Sequence, residues 1–418
     1  MELIKETKSI SPLSNREIDA QVIKEDNSVY LVKWDEEGKK YKSFLEKDYR
    51  FYKRMSEEEV KSQSNFYTLM LYISAKCNLS CPICVEDEPT FEPMLDEIET
   101  LLKNYKRKII ILCGREPTCR EDLPQIIKLV NKRNAAVLLT NGIKLSNKQY
   151  LLSLKKAGLN RITFSLNGLN DEVYKKMNGK SLLDLKLQAL DNIRETGIKT
   201  VISVTLARGI NEDEIKKIYN FCLNNRSFVR ELRIRTMSPV GRYLNVEPYC
   251  MSELIDLVSS SIGIDRSAIL KEHTFFYEFF KIFNKLFRFD YFRPRLCTIR
   301  FHIKGTSKIS SVGEELRFNE KNNLQFKRIL LPYYLIRKFG ILYNSEIIFE
   351  MFGLPLFLKD KKYLRINLRC WPNLFNIDLK ENKKCTSGYY KDNMIYPVCY
   401  YSIVDANKRK SKMASHIF

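Results

Sequence analysis

Ser74–Glu88 reads SAKCNLSCPICVEDE and places Cys77, Cys81 and Cys84 in the spacing C-x3-C-x2-C. Three thiols crowded into one short loop gain nothing from each other as core packing, but they make sense as ligands. Zinc in a structural site is four-coordinate and usually assembled from two separated pairs, and a disulfide leaves one of the three over. An iron–sulfur cube takes one thiolate per iron, so three cysteines leave its fourth iron open to another ligand.

Working outward, the run Tyr67–Ile73 (YTLMLYI) just before the loop has the length and β-rich composition of a buried strand. From there strand-like and helix-like patterns alternate, which predicts a parallel sheet covered by helices. The strands are expected at Tyr67–Ile73, Lys108–Cys113, Ala136–Thr140, Arg161–Leu166, Val201–Leu206 and Glu231–Met237. Amphipathic helices are expected at Asp122–Asn134, Asn147–Ala157, Leu182–Thr196 and Glu212–Asn224. The fold class is therefore α/β, a partial (β/α)6 TIM-like barrel. A β-rich preface over 1–65 stands before it, with strand-like runs at Ala20–Lys24, Ser28–Trp34 and Tyr41–Phe44.

Active groups in βα barrels gather at the carboxyl ends of the strands. After the second strand comes Cys113-Gly-Arg-Glu-Pro-Thr118, after the third Thr140-Asn-Gly142, after the fourth Ser165-Leu-Asn-Gly168, and the sixth ends at Met237. Each alone reads equally well as turn or core; their succession at strand ends is the informative feature.

With these elements in order, residues 66–245 resemble the radical S-adenosylmethionine enzymes. The resemblance implies that Cys77, Cys81 and Cys84 hold a [4Fe–4S] cluster whose open iron binds S-adenosylmethionine, and that reduction then yields a 5′-deoxyadenosyl radical. It makes Gly114, Glu116, Thr140, Ser165, Asn167 and Met237 the groups around that cofactor. Ile83 stands where the family usually has an aromatic residue, and Arg115 replaces the second glycine of the GGEP element. An external one-electron donor of flavodoxin or ferredoxin type is implied as well.

Closer still, CGREPTCREDLPQIIKL, the block from Ser165 to Ile215 and MSPVGR are similar to the subfamily of archaeal tetraether lipid synthases and related pterin-methylating enzymes. The preface fits through VYLVKWDEEGKKYKSFLEKDYRFY, although that subfamily often carries metal-binding cysteines there and this chain has none. The ending, 361–418, resembles its closing segment, in which two cysteines, here Cys385 and Cys399, bracket a hairpin; Cys297 matches a middle cysteine. With Cys370, which has no counterpart in the pattern, these thiols could complete a second [4Fe–4S] cluster, or be scattered buried thiols. Cys113, Cys119, Cys222 and Cys250 show no ligand spacing and read as structural, and His273, His302 and His416 show no metal spacing.

Among 418 residues the formal net charge is +21 and the pI about 9.3, which suits an anionic partner such as a lipid surface, nucleic acid or a phosphorylated substrate. A Lys-rich genome-wide composition accounts for it equally. Eleven cysteines without a leading apolar signal argue for a reducing, cytoplasmic address. No apolar run approaches the ~20 residues of a spanning helix, although contact with a membrane surface is compatible with the charge. Residues 246–360 are read as a mostly helical insertion dense in rings and basic groups, from Phe275 to Phe289 and again over Phe326–Phe357. It fits a helix packed on the barrel mouth, an apolar channel, or a stacking surface for nucleic acid. The expected function is hydrogen abstraction from an unactivated carbon, leading by resemblance to carbon–carbon bond formation or alkylation on a lipid. Alternatives are a peptide or pterin substrate, or a cluster-bearing regulatory protein without cleavage.

Overall fold

The six runs read as strands form one parallel sheet, in a computed structural model that describes residues 1–56, 63, 65–86, 92–105, 108–274, 295–304, 363–391 and 394–415. In chain order they are β5 (Thr68–Ser74), β6 (Ile109–Gly114), β7 (Ala135–Thr140), β8 (Arg161–Ser165), β9 (Lys199–Leu206) and β10 (Val229–Thr236). Each pairs in parallel with the next. Helices α2 (Leu95–Asn104), α3 (Leu123–Asn131), α4 (Lys148–Lys156), α5 (Asp171–Asn178), α6 (Leu183–Thr196), α7 (Glu214–Asn224) and α8 (Met251–Ile262) cover the outside. This is the α/β partial barrel expected from the alternation.

Strand periodicity divides each run between two destinations, because successive side chains point to opposite faces. Ile110, Leu112, Leu138, Ile162, Phe164, Ile202, Leu232 and Ile234 are buried beneath the helices and form the main core with Ile126, Leu151, Ile193 and Ile218. Their alternates, among them Ile109, Ile111, Val137, Leu139 and Arg233, line a cavity inside the barrel.

Beyond the six strands the sheet is longer than the sequence pattern indicates. β12 (Tyr363–Arg369) adds in parallel to β10, and β11 (Thr298–Lys304) adds antiparallel to β12. On the other side β13 (Ser387–Lys391) pairs in parallel with β5 and forms a hairpin with β14 (Met394–Pro397). The strand order is β11-β12-β10-β9-β8-β7-β6-β5-β13-β14.

The preface is a four-stranded antiparallel sheet, β1 (Glu2–Ile10), β2 (Glu17–Glu25), β3 (Ser28–Trp34) and β4 (Lys40–Glu46), followed by α1 (Tyr49–Ser56). It is fastened to the C-terminal segment: Thr7 Oγ1 donates to Asp378 Oδ1 at 2.5 Å, and Lys5 pairs with Asp378 at 3.0 Å. The short helix α9 (Leu379–Asn382) begins there, and α10 (Val398–Ser415) follows the last hairpin. The ring-rich stretch Phe275–Phe289, the segment Phe326–Phe357 and His416 lie outside the described residues.

Candidate active site

The loop bearing the three early cysteines leaves the carboxyl end of β5, and the chain is shaped to hold it. Gly114, at φ 131°, ends β6 against β5; a Cβ there would sit 2.6 Å from Ser74 O. Gly241, at φ 69°, lies against the cysteine loop, where a Cβ would meet Cys84 O at 2.6 Å and Val85 O at 2.4 Å. Both positions need glycine for its positive φ and for the missing side chain. Arg242 N donates to Cys84 O at 2.8 Å, tying the loop after β10 to the cysteine loop.

The three thiols are half-buried. Asn178 Nδ2, at the end of α5, donates to Cys81 Sγ at 3.2 Å, and Leu79 N donates to Cys77 Sγ at 3.4 Å. Burial pushes the Cys77 thiol up to about 11. It pushes Cys84 up as well, against a hydrogen bond from Arg242. The donor set fits a thiolate-held cluster: three thiols on one loop, amide donors aimed at sulfur, and close backbone contact permitted only by glycine. Among the described residues no three Cys, His, Asp or Glu side chains already surround one point. Metal binding at such a loop is coupled to loss of the thiol protons and gathering of the ligands.

Beside the loop lies a hub around Glu116, which is 1 % exposed. Its Oε1 accepts from Thr118 N at 3.1 Å, Thr118 Oγ1 at 2.6 Å and Thr140 Oγ1 at 2.7 Å. Its Oε2 accepts from Asn141 N at 2.7 Å. A carboxylate has about four lone-pair sites across its two oxygens, so Oε2 keeps room for a further donor. Asn141 Nδ2 reaches Asn78 Oδ1 at 2.8 Å, joining the hub to the cysteine loop. Lys186 Nζ, buried on α6, donates to Asn141 O at 2.8 Å and Ser165 O at 2.7 Å. Burial lowers the Lys186 amine to about 8, with Glu116 and Cys81 opposing the shift.

The remaining expected residues are placed as follows. Thr140 is in the hub, and Ser165 meets it through its carbonyl. Asn167 Oδ1 accepts from Thr205 N at 2.9 Å, so that side chain braces β9. Met237 is buried in a small apolar cluster with Val173, Met177 and Ala207, against which Ile83 packs. An apolar wall thus stands next to the last cysteine although Ile83 is not aromatic. Lys186 and Asn178 escaped the sequence reading because each lies inside an ordinary helical pattern; only the fold turns them toward the strand ends.

The late cysteines come from the two edges of the sheet. Cys297 precedes β11 and Cys370 follows β12 at one edge, with Cys370 N donating to Cys297 O at 3.2 Å. Cys385 precedes β13 and Cys399 follows β14 at the other. All four line the barrel cavity of about 320 Å³ and also a second cavity beneath the preface. Burial pushes the Cys399 thiol up, and Cys385 and Cys297 add to the shift. Cys113 and Cys222 are buried in the core, whereas Cys250 Sγ meets Glu46 Oε1 at 3.1 Å.

A partial α/β barrel with a three-thiol loop after its first strand and a buried carboxylate hub after its second defines a class of protein whose cofactors are a [4Fe–4S] cluster and S-adenosylmethionine. Residues 71–222 match the family described as Radical SAM superfamily. The chain is 30% identical over 273 residues to the 7,8-dihydro-6-hydroxymethylpterin dimethyltransferase of Methanocaldococcus jannaschii, covering 57% of this chain and 54% of that one. It is 29% identical over 202 residues to the GTP 3',8-cyclase of Clostridium perfringens, covering 46% and 61%. The chain therefore spans between half and two thirds of the length of these curated relatives. Among solved structures, Streptococcus suis SuiB bound to S-adenosylmethionine aligns at 21% identity over 47% of each chain, with a TM-score of 0.41. Enzymes of this superfamily need a reductant. Among the described residues no helix is long and apolar enough to cross a membrane.

Proposed function

We propose that this chain is a radical SAM enzyme that removes hydrogen from an unactivated carbon of a substrate held inside the barrel. The observation that carries this reading is the convergence of the three-thiol loop and the Glu116 hub at one end of a barrel with an internal cavity. When bound and reduced, the cluster and S-adenosylmethionine supply a 5′-deoxyadenosyl radical. The protein's part is to bind, orient and shield. Cys77, Cys81 and Cys84 would hold the cluster, and Glu116 Oε2 would accept from the ammonium of the cofactor. Thr140 and Asn141 fix that carboxylate, Ser165 and Asn167 stand at the next strand end, and Met237 with Ile83 gives an apolar surface. Gly114 keeps the backbone open for close approach.

The test is anaerobic reconstitution with iron and sulfide, then dithionite and S-adenosylmethionine. Formation of 5′-deoxyadenosine is expected. An intact cluster that forms none would favour a regulatory iron–sulfur protein instead.

A second cluster at Cys297, Cys370, Cys385 and Cys399 is supported by their lining one cavity from both sheet edges, so that a metal there would close the seam of the barrel. About eight rather than four iron atoms per chain are expected, falling by about half in Cys399→Ala. For the reaction's outcome, the curated relatives act on a pterin and on GTP, which favours a heterocyclic substrate and a methylation-type alkylation. Carbon–carbon bond formation on a lipid rests on the sequence resemblance. Identical chain connectivity in lipid extracts of cells with and without the gene would remove it.

A further inference from the structure

The sulfurs of the cysteine loop draw their hydrogen bonds from unlike donors. Leu79 N donates to Cys77 Sγ at 3.4 Å from within the loop itself. Cys81 Sγ receives Asn178 Nδ2 at 3.2 Å, and that donor stands on α5, outside the loop. A thiolate held by iron can only accept, so cluster loading fixes the amide with its N–H groups toward the sulfur. Hydrogen bonds to the sulfurs are among the features that set the potential of an iron–sulfur cluster. The reduced cluster carries the greater negative charge, so a donor at sulfur favours it.

The end of α5 is built to hold Asn178 in place. Tyr174, one helical turn earlier, is fully buried, and its hydroxyl donates to Gly168 O at 2.7 Å. Val173 and Met177 are buried with Met237, and Ile83 of the cysteine loop packs against them. Residues four apart share a helix face, so docking Tyr174 at the strand ends brings Asn178 to the same side. Nothing in the helix end itself asks for an amide there. The left-handed cap is Gly179, at φ 75°, whose N–H donates to Lys175 O at 3.1 Å, and asparagine is a weaker helix former than leucine or alanine.

The other end of the same amide supplies a second observation. Asn178 Oδ1 is buried and has no hydrogen-bond partner among the described residues. Buried acceptors are ordinarily paired, and each exception asks for a cause. This oxygen shares its carbon with the Nδ2 that reaches Cys81, so a donor that satisfies it sits beside the cluster. S-adenosylmethionine, which meets such a cluster at its open iron, carries hydroxyl and amine donors.

Resting on the reading of this loop as a cluster site, we infer that Asn178 is a positioning residue that couples the cluster to its cofactor. Through Cys81 its Nδ2 raises the reduction potential of the cluster, and its Oδ1 accepts a hydrogen bond from S-adenosylmethionine. A competing account gives the electrostatics at Cys81 to the amine of Lys186, which lies close enough to act on it. Asn178 is neutral, and Lys186 Nζ is held by Asn141 O and Ser165 O. Replacing Asn178 therefore leaves that charge where it is, and a change at the cluster is then owed to the amide.

The test is a spectroscopic redox titration of the full-length, cluster-loaded protein, with S-adenosylmethionine affinity measured by calorimetry on the oxidised form. Asn178→Leu, similar in shape and without polar atoms, is expected to keep the iron content and the visible absorbance. Its midpoint should move to a more negative potential, so that the ratio of reduced to oxidised cluster at a fixed potential falls about tenfold, which is ~59 mV for a one-electron couple. Its affinity for S-adenosylmethionine should fall roughly threefold or more, the loss of one hydrogen bond. Asn178→Gln, which keeps the amide on a longer side chain, should recover part of both. An unchanged potential in Asn178→Leu overturns the tuning, and an unchanged affinity overturns the cofactor contact. Should Asn178→Leu not load its cluster, Asn178→Ala carries the same two readouts, and loss of iron in both overturns the proposal, because the amide is then needed to hold the loop. The wild type reports on the wider reading separately: a measurable potential without 5′-deoxyadenosine formation removes the enzyme and leaves the effect of Asn178 on the cluster standing.

Discussion

Two buried carboxylates organise this barrel, and their surroundings are opposite. Glu116, at the strand ends, takes four hydrogen bonds from neutral donors, with the single amine of Lys186 nearby. Glu231, in the wall, faces Arg233, Arg365, Arg369 and Arg300. The first site is close to charge balance and nearly saturated by its own chain, as suits a preformed seat for a cofactor with both charges. The second has a ladder of four guanidinium groups around one carboxylate. The difference teaches that one carboxylate is held by neutral hydrogen-bond donors and the other by charge, so the two answer differently to salt.

The largest effects are expected at the hub and its loop. Cys77→Ala should abolish the broad visible absorbance of the reconstituted protein and lower 5′-deoxyadenosine formation to background. Glu116→Ala should keep most of that absorbance but lose S-adenosylmethionine binding. It should also destabilise the fold by roughly 3–5 kcal/mol, because several buried donors are left unmet. Raised salt should not restore it. A Glu116→Ala protein that binds the cofactor normally would break the comparison at its first half.

A smaller effect of opposite character is expected at the ladder. Glu231→Gln removes the one carboxylate among the described lining residues and should cost about 3 kcal/mol at low salt, the order found when a buried pair loses one partner. Here raised salt should recover part of that loss, by screening the mutual repulsion of the arginines. Urea unfolding at low and at high salt measures this. Equal loss under both conditions would mean that repulsion does not set the cost. The pH dependence has a definite sign. The folded-state pKa of Glu231 is depressed, so its contribution is present above the unfolded value of ~4.3 and is lost only as pH falls through the lower folded value.

These two sites were unequally legible in the sequence. The cysteine loop, Gly114, Glu116 and Thr140 are local signals, each at the end of an apolar run that could hardly be anything but a buried strand. The α/β barrel followed from the same runs. The ladder is different: VRELRIRT over β10 shows charges at alternate positions, and alternation alone reads as a half-exposed strand. That those arginines point into a lumen depends on β11 and β12 closing over them, and β12 begins more than a hundred residues later. β1, β11 and β12 were missed for the same reason, because their partners, not their composition, make them strands, whereas the hairpin of β13 and β14 between Cys385 and Cys399 was expected. Asn178 and Lys186 depended on which way a helix faces once docked.

The smallest predicted effect concerns a buried amine with no carboxylate partner among the described residues. Lys33, fully buried on β3, donates to Ile10 O at 2.7 Å, Leu374 O at 2.6 Å and Ser9 Oγ at 3.1 Å, all neutral acceptors. Burial lowers its amine to about 7. Between that value and the ~10.4 of an unfolded lysine, the unfolded chain binds more protons than the folded one. Stability therefore rises with pH across this window, by at most about 1.4 kcal/mol per unit. Below pH 7 the group is charged in both states and contributes no slope. Lys33→Met should flatten the difference between urea midpoints measured at pH 7.5 and 9. If the slopes of variant and wild type coincide, Lys33 is not held short of charge, because the carbonyls of Ile10 and Leu374 then stabilise its ammonium as well as water does.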